Sequence, residues 1–342
     1  MPTAASVSFR LGGPDGVSIE AEKWRWALTQ LGFGVVTVAG AGPVDRPVAG
    51  LDVHDPRAVD EPALAGALEG ADLTVVENVC SLPLNPPAAE AVSHVLRGRR
   101  TLLRHHDLPW QRARFTGSPN PPDDPAWLHV TINKRSEAEM RQRGLAAHAI
   151  YNRVAEPAAL PSRAAARATF GFEEAELVVI QPTRALARKN IAAAISLSEA
   201  LGATYWLTGP AEEGYGPTAT ALLGGARCPT RWDHGLLSMD AAYAAADLVV
   251  LPSTWEGFGL PTIESAVHRR PLAIGSYPVA EELRGHGFRW FGLDETEAIR
   301  RYLSAPDCSL IEHNAQVARS HFSLDALPAD LTSLFDQAGW SW

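Results

Sequence analysis

The sequence contains only three cysteines, Cys80, Cys228 and Cys308, widely spaced in a chain of 342 residues. Their spacing fits neither a zinc site nor the disulfide framework of a small secreted domain. The first residues contain no apolar stretch behind a basic segment, so we expect no secretory leader. These absences predict a protein of the reducing cytoplasm.

The chain also lacks a long apolar run and an excess of basic charge. A membrane-spanning helix needs about 20 consecutive apolar residues, and we therefore expect no span. The formal net charge is −9 at pH 7, which disfavours an anionic membrane surface and predicts no nucleic-acid partner, since such proteins usually carry a basic surface. The sequence contains neither a P-loop nor a G-x-S-x-G motif.

The composition and segment order indicate an α/β protein of two domains. Apolar residues make up 46% and charged residues 20%, as in globular proteins, and the length suits two domains of roughly 150 residues. Strand-like and helix-like segments alternate, which predicts two Rossmann-like, doubly wound parallel sheets facing a central cleft. We predict domains at 1–155 and 163–322, joined by a proline-containing linker at 152–163. A helix at about 323–342 could belong to either half.

Two helices are predicted with specific local features. The first runs from about Ser18 to Leu31, with one apolar stripe formed by Ile19, Trp24, Ala27, Leu28 and Leu31. A later helix opens at Ser136, and Glu139 three residues on completes a capping-box pattern.

Residues 253–264, STWEGFGLPTIE, form the most informative segment. They follow the apolar run 246–252 and contain a Gly-Phe-Gly turn, followed by a proline suited to the start of a helix. This layout directs backbone N–H groups at an anion. Glu256 and Glu264 are eight residues apart, about 12 Å along a helix, whereas the two carboxyls of a glycosidase lie about 5–10 Å apart. The pair therefore indicates contacts to two parts of a long ligand, such as a nucleotide sugar. The alternative is a helix cap with a solvated glutamate.

A second segment, PTRALARKNI at 182–191, follows a predicted buried strand. Arg184, Arg188 and Lys189 offer a guanidinium fork and an ammonium charge for phosphate oxygens. The alternative is a solvated basic turn.

Two further loops follow strands of the first half. The loop GGPDG at 12–16 could let the backbone approach a diphosphate, but it also fits an ordinary tight turn. In RHHDLPW at 104–110, His105 and His106 point in opposite directions if the segment is extended. At most one of them faces the cleft, and Asp107 could orient an imidazole or accept a ligand hydroxyl. No third ligand at useful spacing supports a metal site there.

At these residues the chain resembles the retaining glycosyltransferases of family 4, which have the two-domain GT-B fold. The E-x7-E element from Glu256 to Glu264 is the most specific match, and PTRALARKN, GGPDGVSIE and YNRV match less specific elements. In YNRV, Arg153 replaces the usual glycine after Asn152. Length and composition are also similar to those of tailoring transferases of avilamycin-type oligosaccharide antibiotics.

The resemblance implies a role for each matched residue. Glu256 would contact the donor sugar, Glu264 the nucleotide ribose, and His106 the sugar near the reacting carbon. Arg184 and Lys189 would bind the diphosphate. Backbone amides would contact phosphate or sugar at Gly13, Phe258, Gly259 and Leu260.

The function expected from this resemblance is retaining, metal-independent sugar transfer. The donor would be a nucleotide diphosphate sugar, with UDP favoured and GDP possible, and no other cofactor would be needed. The acceptor would be a hydroxyl of a small molecule or oligosaccharide, bound near the loops 77–87 and 107–115. Trp110 could stack on a sugar or serve a core role, and the six arginines between Arg97 and Arg114 favour a solvated face over an acceptor site. Alternatives are a sugar-nucleotide epimerase and a non-catalytic nucleotide-sugar-binding protein.

Overall fold

The structure is a computed structural model that describes residues 1–13, 15–55, 57–236 and 238–342. It divides into two compact units, the first formed by 1–153 with 324–342 and the second by 154–323. The C-terminal helix, which the sequence left open between the two halves, therefore lies in the first unit.

The first unit contains seven strands and five helices within the residues described. Its strands are β1 (Thr3–Arg10), β2 (Gly34–Ala41), β3 (Arg46–Pro47), β4 (Leu73–Glu77), β5 (Thr101–His105), β6 (Trp127–Thr131) and β7 (Ala147–Ala149). Its helices are α1 (Gly16–Gln30), α2 (Glu61–Ala67), α3 (Pro86–Leu96), α4 (Lys134–Gln142) and the C-terminal α13 (Leu327–Gln337).

The second unit contributes the remaining elements of the described chain. Its strands are β8 (Val178–Gln181), β9 (Thr204–Leu207), β10 (Thr230–Trp232), β11 (Leu248–Leu251), β12 (Leu272–Ile274) and β13 (Phe291–Gly292). Its helices are α5 (Arg163–Phe170), α6 (Ile191–Leu201), α7 (Gly216–Gly224), α8 (Met239–Ala245), α9 (Pro261–Val267), α10 (Pro278–Arg284), α11 (Thr296–Ser304) and α12 (Cys308–Phe322).

The sheet of the first unit is parallel, with strand order β3-β2-β1-β4-β5-β6-β7. Successive residues of a strand face opposite sides, and here each side has its own core. Val76 packs on the side covered by α2 and α3, whereas Val75 packs on the side of α1 and α13. The strand order reverses between β1 and β4, and ligands of open α/β sheets bind at the carboxyl edge of such a reversal.

The sheet of the second unit is also parallel, in the order β10-β9-β8-β11-β12-β13. Every residue of β8, β9 and β11 is buried, because helices cover both faces. Its order reverses between β8 and β11, which sets the loops after these two strands beside each other. Together the two sheets confirm the predicted pair of Rossmann-like, doubly wound domains.

The local predictions for two helices need correction. Ile19 is 38% exposed and does not belong to the buried stripe of α1, whereas Trp24, Ala27 and Leu28, which were predicted with it, are buried. Helix α4 begins at Lys134 and not at Ser136, because Asn133 is the N-cap and its Oδ1 accepts from the Ser136 amide at 2.7 Å.

Candidate active-site residues in the two units

The loops that follow β8 and β11 bring together a carboxylate and two cations. The Lys189 ammonium lies 2.5 Å from Glu256 Oε1, and an Arg188 guanidinium nitrogen lies 3.0 Å from Glu256 Oε2. Ser253 also donates to Glu256 Oε1, at 2.5 Å. Since β8 and β11 are hydrogen-bonded neighbours, the meeting of these residues follows from strand order.

This unit 2 cluster, Arg188, Lys189, Ser253 and Glu256, carries more positive than negative charge. Glu256 is 5% exposed and Lys189 is 7% exposed. Burial opposes ionisation of the carboxyl, but attraction to Lys189 and Arg188 outweighs it, so the pKa of Glu256 lies below its ordinary value. With the carboxylate ionised, one negative charge faces the two cations Arg188 and Lys189, so an anion placed there would be attracted.

Arg184 and Glu264 have partners outside this cluster. A guanidinium nitrogen of Arg184 lies 2.6 Å from Glu212 Oε2 in the loop after β9. Glu264, in the first turn of α9, accepts a hydrogen bond from the Tyr243 hydroxyl at 2.7 Å. The interpretation that Glu256 and Glu264 hold two parts of one ligand stays a prediction.

The glycine turn between the two glutamates is tightly constrained. Gly259 has φ +87°, and a Cβ added there would lie 2.6 Å from the Tyr277 hydroxyl oxygen. Phe258 is buried, with its ring centroid 6.1 Å from that of Phe322. Leu260 directly precedes α9. A side chain larger than hydrogen at Gly259 would therefore displace the turn whose amides were predicted to bind the donor.

Tyr277 itself is a residue that the sequence reasoning missed. It is 3% exposed, and among the described residues its hydroxyl has no hydrogen-bond partner. The available signal was a tyrosine directly before the proline that begins α10, just after β12. Its position beneath the Gly259 turn makes it part of the candidate site.

In the first unit, His106 follows β5 and belongs to a buried charged cluster. Its Nε2 lies 2.7 Å from Glu77 Oε2, and Glu77 lies 3.3 Å from Arg104. Arg104 also donates to Glu20 Oε2 and to Asn152 Oδ1, each at 3.0 Å. We call Glu20, Lys23, Glu77, Arg104 and His106 the unit 1 cluster.

In the unit 1 cluster the two carboxylates, Glu20 and Glu77, are matched by two cations. Lys23 donates to Glu20 Oε1 at 2.6 Å and adds a second cation to that of Arg104. Burial raises the pKa of Glu77. The Arg104 guanidinium and His106 lower it by a larger amount, so the pKa of Glu77 lies below its ordinary value. The sequence reasoning missed this cluster, although Arg104 and His106 occupy alternate positions that share one face of the strand.

Two expectations about residues 104–115 are corrected by the contacts. Asp107 does not orient an imidazole, because its carboxylate pairs with Arg112 at 2.8 Å. Arg104 is fully buried, so the six arginines do not form one solvated face. Trp110, for which a sugar-stacking role and a core role were both open, packs against the core cluster that contains Leu108 and Met140. The Arg143 guanidinium lies 4.0 Å from the centroid of its ring, and stacking on a sugar stays a prediction.

His105 points away from His106, as the alternation along the strand predicts. A hydrogen-bonded chain runs from Ser81 Oγ to His105 Nδ1 at 2.7 Å, and from His105 Nε2 to His129 Nδ1 at 2.9 Å. It ends at Asp123, whose Oδ1 lies 3.1 Å from His129 Nε2. Burial places the pKa of His105 well below its ordinary value and also lowers that of His129, so both rings are neutral at pH 7.

The loop after β1 is held in place by contacts at Gly12 and at Asp15. Gly12 has φ +76°, and a Cβ there would lie 2.6 Å from Pro43 Cγ. Asp15 caps α1 by accepting from the Val17 and Ser18 amides, each at 3.1 Å. Gly13, the predicted ligand contact, lies between Gly12 and Asp15 in the sequence. Pro14 lies outside the described residues.

The described residues contain neither a candidate metal centre nor a helix that could span a membrane. No group of three or more His, Cys, Asp or Glu side chains there could hold a metal ion. None of the helices described is both long enough and apolar enough to cross a membrane.

The chain is similar to known proteins over nearly its whole length, although no family model matches it. It is 24% identical to mannosylglucosylglycerate synthase of Thermotoga maritima, over 94% of this chain and 97% of that protein. It is 24% identical to the synthase of the same name from Petrotoga mobilis, over 80% and 82% of the two chains.

Solved structures show which fold the chain has. Anabaena HepE in complex with UDP-glucose superposes with a TM-score of 0.74 at 15% identity, over 98% of this chain and 99% of HepE. Sucrose-phosphate synthase from Thermosynechococcus elongatus gives 0.74 at 16% identity over 98% and 99% of the chains, and the lipopolysaccharide glycosyltransferase WaaG gives 0.67 at 14% over 97% and 99%. The fold is that of the GT-B glycosyltransferases.

Proposed function

We propose that this chain is a retaining glycosyltransferase, which moves a sugar from a nucleotide diphosphate sugar to an acceptor hydroxyl. The observation that carries the proposal is the unit 2 cluster, where Arg188 and Lys189 surround the single carboxylate of Glu256 beside the β8–β11 reversal. Two cations at such a position suit a diphosphate, and a carboxylate between them suits sugar hydroxyls. UDP is the favoured nucleotide, supported by the UDP-glucose complex of HepE.

The remaining residues have proposed roles in donor binding. Lys189 and Arg184 bind the diphosphate, and Arg188 adds positive charge beside Lys189. Glu256 binds the sugar and Glu264 the ribose. The amides at Phe258, Gly259 and Leu260, with Gly13, contact phosphate or sugar. His106 hydrogen-bonds the donor sugar through Nδ1, since its Nε2 is engaged by Glu77.

The proposed chemistry keeps the anomeric configuration of the sugar. Negative charge grows on the leaving diphosphate, and Arg184 and Lys189 stabilise it in the transition state. A phosphate oxygen then takes the proton of the acceptor hydroxyl, which attacks on the face that the diphosphate leaves. We propose that the two side-chain cations make a metal ion and any further cofactor unnecessary.

For the acceptor we propose a small molecule or an oligosaccharide, in antibiotic or glycoconjugate biosynthesis. Two relatives named for making mannosylglucosylglycerate support an acceptor of modest size. We propose the cytoplasm as the compartment, since the three cysteine thiols are free and a reducing compartment maintains free thiols.

Isothermal titration with UDP and GDP tests the donor site. We expect the wild type to bind at least one of them, and Lys189→Ala to bind it about 10- to 150-fold more weakly, as expected for losing a hydrogen bond to a charged group. Lys134→Ala is the matched control, because Lys134 is exposed on α4. Absence of binding to both nucleotides at millimolar concentration would overturn the proposal.

Incubation with a panel of nucleotide sugars, followed by NMR, tests the chemistry. A retaining transferase should release slowly, without acceptor, a sugar whose first-formed anomer matches the donor. An epimerase would produce an epimeric nucleotide sugar or free nucleotide with no acceptor dependence. A binding protein would protect the donor and hydrolyse none of it.

A further inference from the structure

Helix α8 contacts the carboxylate of Glu264 through a buried tyrosine. Tyr243 is 1% exposed, and its hydroxyl donates to Glu264 Oε2 at 2.7 Å. Burial raises the pKa of the Tyr243 phenol well above its ordinary value, so the group stays protonated and remains a donor. None of the donor-binding roles proposed above uses this residue.

The Tyr243 ring is itself held in place by the neighbouring helix. It stacks on the His268 ring, with centroids 4.4 Å apart and an interplanar angle of 19°. His268 Nδ1 donates to the Glu264 carbonyl oxygen at 2.7 Å, and its Nε2 lies 2.9 Å from Asp240 Oδ1 on α8. The side chain and the backbone of Glu264 are therefore both tied to α8.

A carboxylate held at one oxygen has a defined orientation before any ligand binds. A glutamate side chain otherwise samples several rotamers, and ordering it on binding weakens affinity. Each carboxylate oxygen can accept two hydrogen bonds. Oε2 therefore keeps capacity beyond the bond from Tyr243, and two adjacent hydroxyls can donate to the pair of oxygens.

We infer that Tyr243 is a positioning residue, which orients the Glu264 carboxylate toward the vicinal hydroxyls of the ribose of a bound nucleoside diphosphate. The inference rests on the proposed function, because that function assigns the ribose to Glu264. It adds a residue on another helix, which touches no ligand and acts through its hydrogen bond alone.

The test compares the binding of UDP and 2′,3′-dideoxy-UDP by isothermal titration, or of the guanosine pair if GDP binds more tightly. We expect Tyr243→Phe, which fills the same space without the hydroxyl, to weaken UDP binding about 5- to 30-fold. The dideoxy analogue should bind Tyr243→Phe and wild type equally, because it presents no hydroxyls to Glu264. In the Glu264→Ala background, Tyr243→Phe should have no further effect.

Tyr302→Phe is the matched control, since the Tyr302 ring contacts Phe291 on β13. Both nucleotides should bind this variant as they bind the wild type. His268→Gln, which removes the ring stacked on Tyr243, should show the same selective loss of UDP binding and serves if Tyr243→Phe does not fold. An equal loss for both nucleotides, or no loss, in a folded variant would overturn the positioning role. If the wild type binds neither UDP nor GDP, the proposed function itself fails and this inference fails with it.

Discussion

The two charged clusters have opposite compositions. In the unit 1 cluster one guanidinium, Arg104, lies between the carboxylates of Glu20 and Glu77, whereas in the unit 2 cluster Glu256 lies between Arg188 and Lys189. The first arrangement reaches charge balance once Lys23 is included. The second retains a positive charge, and the difference indicates that the second cluster suits an anion while the first serves to hold His106.

The surroundings of Arg104 and Lys189 differ in the same way as the charges of their two clusters. Arg104 is fully buried, and its guanidinium lies 4.4 Å from the centroid of the Trp24 ring. Lys189 lies in a loop beside Arg188, which is about one-fifth exposed at its side chain (20%). Two carboxylates balance the charge around Arg104 internally, whereas a bound ligand could still neutralise the unit 2 cluster.

Glu256→Gln should have the largest effect on stability, because it leaves two cations without a buried carboxylate. We expect the free energy of unfolding of the second unit to fall by about 3–5 kcal/mol. Saturating UDP should restore part of this loss, since ligands that bind the folded state stabilise it. Urea unfolding with and without UDP measures both effects.

The comparison predicts that UDP stabilises folded Glu256→Gln by more than it stabilises the wild type, because the phosphates replace the missing charge. Equal stabilisation of both proteins would contradict a diphosphate site at this cluster. Glu282→Gln provides a control on α10 in the same unit.

Glu77→Gln should have a smaller effect. Arg104 keeps its contacts to Glu20 and Asn152, so we expect a loss of about 1.5–3 kcal/mol, the value of a hydrogen bond to a charged group. UDP should not restore this loss preferentially, because Arg104 is fully buried and the proposed diphosphate site lies at the unit 2 cluster. A preferential rescue of Glu77→Gln by UDP would show that the two clusters do not differ in the way proposed.

The pair His105 and His129 should make the stability of the first unit fall in mild acid. Both pKa values lie below the ordinary value of 6.5 in the folded state, so below pH 6.5 the unfolded chain binds more protons and is favoured. The melting temperature should drop between pH 7.5 and pH 5.5, by about 2–4 °C for each kcal/mol lost.

A double variant, His105→Gln with His129→Gln, should show a flatter dependence of melting temperature on pH over that range. The carboxylates titrate mainly below it, since the ordinary pKa of Glu77 is 4.5. An identical slope in wild type and variant would assign the acid sensitivity to other groups.

Much of the fold could be predicted because buried strands are continuous apolar runs. The apolar run 246–252 contains β11, Leu248–Leu251, and the basic segment 182–191 directly follows the predicted buried strand, which is β8, Val178–Gln181. Helix α5, Arg163–Phe170, was not predicted, because it follows the linker and its buried residues include Arg167. An arginine that donates to four backbone carbonyls and to Asp247 packs inside the unit, where hydrophobic periodicity does not reveal it.

The residues of the candidate site also divide into those that the sequence predicted and those that it missed. Glu256, Glu264 and the basic turn at 182–191 were found because each lies in a short local pattern. The unit 1 cluster was missed because its members are far apart in sequence: Arg104 is 84 residues from Glu20 and 27 from Glu77. No local pattern records such a contact, and the pairing of Glu264 with Tyr243 escaped for the same reason.

The sequence by itself determined the alternation of strands and helices, the spacing of the two glutamates and the presence of basic residues after a buried strand. Only the tertiary structure decided that Lys189 forms an ion pair with Glu256, 67 residues later in the sequence. It also decided that Arg184 pairs with Glu212 instead. The physical reason is strand order: β11 adds to the sheet beside β8, so the loops after both strands emerge at one edge. Periodicity specifies which face of a strand is buried, but the neighbour of that strand depends on packing across the whole sheet.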